Sequence, residues 1–192
     1  MKHTMHELLQ IVYQYYWRST SYDTSEPYGP REALVEARKH AGRPNSAWQK
    51  LLVRLDARFP DRATNRSLHL AGGGFDACYL VKLEGSSNAD GEPHDIGLAI
   101  SFIAPYYVVY NSRHVKKNHH NYDEVWRLHP FDLADDEIAD ARAMVDEMKK
   151  YFPDHEPLPE EIGNIVVPDV LVCNQLLGMG TIYHCLFTDS WW

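Results

Sequence analysis

The spacing of hydrophobic positions changes along the chain, and each change predicts a different kind of element. Met5, Leu8, Leu9, Val12, Tyr15 and Tyr16 recur at three- and four-residue steps, which predicts an amphipathic helix over residues 4–18. Residues 19–30 are polar and read as a loop. Pro30 is placed to open a short helix over residues 31–41, and Gly42 to stop it. Trp48, Leu51, Leu52, Leu55 and Phe59 form the stripe of a third helix, capped by Asn45 or Ser46 and closed by Pro60. On its polar side Lys50, Arg54 and Arg58 lie four apart, a small basic edge facing solvent.

The period then shortens to two. Residues 67–71 and 77–84 read as strands on either side of Gly72, Gly73 and Gly74. That triplet lacks the Lys-Ser/Thr of a phosphate loop and the spacing of a dinucleotide fingerprint, so it reads as a turn or bulge. After a polar hairpin loop over residues 85–93, Ile96, Leu98, Ile100 and Phe102 alternate with Gly97, Ala99 and Ser101. Residues 106–111 are aromatic and β-branched beyond the Ala104-Pro105 junction. The two arms predict neighbouring antiparallel strands in the middle of a sheet. Residues 113–132 show no clean period. Asp132 can cap a helix over residues 133–151, in which Ile138, Ala141, Val145 and Met148 form one face and Phe152 continues it. Strands are expected at residues 165–167 and 181–187, with a helical turn between them running to Leu177. Trp191 and Trp192 are expected to pack back onto the core. The predicted class is α+β: one domain over residues 1–192, helical over 1–60 and a central, mainly antiparallel sheet with packed helices over 67–192.

Composition changes this picture in one respect. A chain of 192 residues can build one sizeable core, and 12 Tyr and 5 Trp supply much of its apolar surface. The net charge of −8 is concentrated, because residues 132–161 carry 11 acidic side chains against 3 basic ones. An acidic balance argues against binding a phosphate backbone, so no nucleic-acid partner is expected. The acids either keep a helix face hydrated or present a negative patch to a basic protein. Acids early in the helix also suit its dipole. No stretch is long and apolar enough for a membrane span, and the N-terminal segment lacks a cleavage pattern. Three cysteines without a CxxC pair fit reduced thiols and a cytoplasmic setting.

Candidate chemistry is sparse. His114, His119, His120 and His129 follow no known ligand spacing, and Lys116 and Lys117 oppose a cation, so surface or hydrogen-bonded histidines are expected. Neither a GxSxG elbow nor an HExxH pair occurs. Cys78 and Cys185 fall in apolar stretches. The carboxylate pairs Asp135/Asp136 and Glu160/Glu161 are adjacent in sequence without evidence that they converge on a cleft. The expectation is therefore no catalytic residue, no metal and no cofactor.

The helix HELLQIVYQYYWR, the helix AWQKLLVRLDARFP and the closing blocks IGNIVVPDV and GTIYHCLFTDSWW resemble the small immunity proteins encoded beside bacterial polymorphic toxins and contact-delivered effectors. That resemblance implies a non-enzymatic protein that binds a cognate toxin in the cytoplasm and blocks its active site or a surface it needs. Asp135, Asp136, Asp140 and Glu147, with Tyr122 and His120 beside them, are the candidate contact residues for a partner with a basic surface. Two alternatives stay open. A small hydrolase with an unrecognised site would place titratable groups in a deep pocket, and a structural or regulatory subunit would bury its patch in an oligomer.

Overall fold

The computed structural model describes residues 2–19, 31–44, 46–67, 76–87, 93–113, 127–129, 137–172 and 176–188. Helix α1 (Met5–Tyr15) starts at a capping box: Thr4 Oγ1 accepts from the Glu7 amide, and the Glu7 carboxylate accepts from the Thr4 amide. Helix α2 (Glu32–Ala41) stops at Gly42, and α3 (Ala47–Arg58) is capped by Ser46 rather than Asn45. These three helices lie where the apolar spacing places them.

The sheet is built from β1 (Ala63–Asn65), β2 (Cys78–Ser87), β3 (Pro93–Ser101), β4 (Tyr106–Arg113) and β5 (Arg127–His129), in that order and all antiparallel. The two-residue β6 (Glu156–Pro157) joins the start of β4 in parallel. Helix α4 (Ile138–Lys149) precedes β6, and the short helices α5 (Glu160–Gly163) and α6 (Ile182–Leu186) follow it. The class is α+β with a mainly antiparallel sheet. The central pair is β3 and β4, registered Gly97 to Tyr110 and Ile100 to Tyr107.

Alternation along the strands divides the interior into two cores. On one face Tyr79, Val81, Leu83, Ile96, Leu98 and Ile100 pack under α3 and α4, against Trp48, Leu51, Leu55, Met144 and Met148. On the other, Cys78, Ala99, Val108 and Tyr110 pack under α1, α6 and the C-terminal segment, against Leu8, Val12, Tyr16, Tyr183 and Phe187. Gly97 is indispensable to this second core. A Cβ there would meet Cζ of Tyr110 at 1.9 Å, so only glycine lets the fully buried tyrosine ring lie across the strand. Asp169 ties the C-terminal segment to α1: it accepts from Tyr13 Oη at 2.9 Å and pairs with Arg18 at 2.6 Å.

Of the strand expected over residues 67–71 only Ser67 is described, and it is in no strand; residues 68–71 and the glycine triplet lie outside the described residues, while β1 forms at Ala63–Asn65, where the spacing predicts no strand. Three expectations need correction. Residues 181–187 form helix α6, not a strand. Thr181 and His184 make a reciprocal capping box, and a five-residue helix buried all round shows no period by which to recognise it. At residues 165–167 only Val166 is paired, in an isolated bridge to Thr181. The acidic helix begins at Ile138, with Glu137 in the N-cap position; the expected start at 133–136 and the terminal tryptophans lie outside the described residues.

Candidate partner-binding surface

Helix α4 lies beside α3 on the sheet, and this placement decides what its acids can do. Glu147 points inward to the seam, with 4% of its side chain exposed. It is met there by Lys150 Nζ at 2.8 Å, Arg54 Nε at 3.5 Å and Arg58 at 3.5 Å. The hydrogen bond from Lys150 and the surrounding positive charge hold its carboxyl below the usual range, against the opposing effect of burial. Asp140 pairs with Arg62 Nη2 at 2.7 Å, closing the far end of the same seam. Glu137, also buried, accepts from Asn111 Nδ2 on β4 at 3.3 Å. The basic edge of α3 and much of the acidity of α4 therefore face each other. Asp146 is the α4 acid left exposed. Asp135, Asp136, Tyr122 and His120 lie outside the described residues.

The opposite side of α4 borders a groove. Its volume is about 380 Å³, and its floor and walls are Val108 and Val109 of β4, Ile138, Ala141 and Val145 of α4, and Leu158. Arg142 and Asp146 stand at its edge. Among the described residues β4 is paired by β6 only at Tyr106 and Tyr107 and by β5 only at Asn111–Arg113, so the groove opens beside Val108 and Val109. Glu160 and Glu161, both exposed, follow two and three residues after Leu158. The apolar spacing along the chain gives no sign of this groove, because its walls come from three separate segments.

A second cavity, of about 480 Å³, lies between α2 and the β3–β4 turn, walled by Tyr79, Phe102 and Phe152 with His40 and His155. The Ser101 carbonyl lies 2.9 Å from His155 Nε2, so that nitrogen carries the proton and donates. Burial lowers the His155 pKa and keeps the ring neutral. Several other described groups with chemical potential are tied into structure. Cys78 and Cys185 are fully buried and burial raises both thiols, so they stay protonated. His184 serves the α6 cap and His3 meets the Tyr106 hydroxyl at 3.2 Å. Among the described residues no group of three or more His, Cys, Asp or Glu is placed to hold a metal. His114, His119 and His120 lie outside them, and for His129 the backbone alone is described, on β5. No described helix is long and apolar enough to cross a membrane.

The fold and this surface define a sheet covered by helices on both faces, with an open apolar groove along one wall. No family model, curated protein or solved structure matches the chain.

Proposed function

We propose that the protein is an immunity-type binder that neutralises a cognate bacterial toxin in the cytoplasm by stoichiometric occlusion of its active site or functional surface. The observation that carries this proposal is the apolar groove between β4 and α4, with Asp146 at its edge and Glu160 and Glu161 just beyond Leu158. Tight protein interfaces use an apolar anchor seated in a pocket, surrounded by polar contacts that exclude water. The groove accepts one such anchor, and the exposed acids orient a partner with a basic surface. Asp135, Asp136, Tyr122 and His120, which lie outside the described residues, are proposed as further contact residues. Asp140 and Glu147 act from behind the groove, holding α4 against α3.

The test is co-expression with the product of an adjacent toxin-bearing reading frame. The two products should purify as an equimolar complex, and the cell should survive the toxin. Asp146→Lys should slow association and flatten its salt dependence, while Val145→Asp should speed dissociation. A chain that neither binds that product nor protects the cell would refute the proposal.

A further inference from the structure

The α3–α4 seam carries more positive charge than its carboxylates neutralise. Lys50, Arg54 and Arg58 follow one another at four-residue steps, about 6 Å apart along the helix axis. Lys150 joins them from α4. Against these four cations stand the buried Glu147 and, on the flank of α3, the exposed Asp56, which leaves two positive charges in excess. Glu147 does more than neutralise. Lying almost wholly below the surface, one carboxylate holds two guanidinium groups and an ammonium together, while their side chains remain 54%, 48% and 54% exposed for Arg54, Arg58 and Lys150. The cost of ordering long cationic side chains is thus met before any ligand arrives. Val53 lies beside them on the outward face of α3 and is 69% exposed, the highest value among the large apolar residues described. Ala57, also exposed, continues the apolar line.

We infer that this face of α3 is a second interaction surface, opposite in sign to the groove, and that it docks an acidic segment of a partner protein. The chemistry selects a protein segment over a nucleic acid. Val53 and Ala57 offer an apolar strip alongside the row of cations, which an acidic amphipathic helix matches with its own side chains, and the exposed side chains of α3 include no aromatic ring on which a base could stack. The range of the field points the same way. Charges act over about 8 Å at physiological ionic strength, so a short acidic segment feels the patch, while an extended polyanion overruns onto a protein of net charge −8.

The experiment is a fluorescence-anisotropy titration of the intact protein with a labelled peptide of about 12 residues, the length of α3, patterned as a Glu-rich amphipathic helix. A single-stranded oligonucleotide of about equal length is the comparator. Saturable peptide binding that weakens with salt is expected. Lys50→Glu combined with Val53→Asp, which touches none of the Glu147 contacts, should weaken it about tenfold or more while circular dichroism stays unchanged. Arg54→Glu should weaken it as well. The inference is overturned if the peptide does not bind, if the Lys50/Val53 variant binds it as well as the original chain does, or if the oligonucleotide binds more tightly.

Discussion

The two faces of the sheet are packed on different principles. The face under α1 and α6 is closed by rings: Tyr16, Tyr106, Tyr110, Tyr183 and Phe187 are all 1% exposed or less. Even Tyr16 Oη is satisfied inside, donating to the Cys185 carbonyl at 3.0 Å. The face under α3 and α4 is apolar at its centre but bounded by charge, with the Glu147 seam on one side of α4 and an open groove on the other. A face filled by large buried rings has little room for a partner. A face covered by two amphipathic helices lying side by side leaves their outward surfaces free, and the two proposed interaction surfaces are there, one on the outer side of α4 and the other along α3 over the seam.

By that contrast, the ring-packed face should be the less forgiving. Gly97→Val, which drives a branched side chain into the Tyr110 ring, should destabilise the protein by about 3 kcal/mol or more, measured by urea unfolding. The cost of Gly97→Ala should fall sharply in a Tyr110→Leu background, because the obstructing ring is then gone. Equal costs in the two backgrounds would show that the ring is not what requires glycine. On the helix-packed face, Leu55→Ala should cost about 3 kcal/mol through an ordinary cavity, with cooperative unfolding retained.

The seam should contribute less than its burial suggests. Glu147→Gln should cost about 1 kcal/mol, since its three cations are half exposed and regain water when the carboxylate is lost. The native carboxyl is depressed below its ordinary value of 4.5, so its contribution is present above that pH and is lost as pH falls through the lower native value. The variant should therefore lose less stability than the original chain on acidification below pH 4.5. His155 titrates with the same sign in a different window. Its native pKa lies below the ordinary 6.5, so the unfolded chain binds the proton first and stability declines as pH falls from 6.5 toward the native value. His155→Phe should flatten that part of the profile. Asp146→Lys should be the mildest change for the fold, within about 0.5 kcal/mol, because the residue is exposed and outside the seam. Its effect should appear only in partner association.

Period and caps make α1, α2, α3 and the β3–β4 pair legible in the amino-acid sequence. Local physics suffices for them: one apolar stripe in a helix, strict alternation in a strand, and a Ser, Thr or Gly at the ends. The same local signals fail at residues 181–187, where burial on every side erases the stripe and leaves only the Thr181–His184 box to mark a helix. The acids of residues 132–161 are legible as a charge excess, but charge along a chain carries no direction. Which of them face a partner is decided where the sheet brings α3 beside α4, turning Glu147 toward Arg54 and Arg58, pairing Asp140 with Arg62 and leaving Asp146 outside. The sequence by itself determined the class of fold and the apolar faces of α1, α3 and β3, because those depend on spacing within single elements. The groove and the cationic ridge were decided only by tertiary structure, because each needs side chains that meet across segments far apart in the chain.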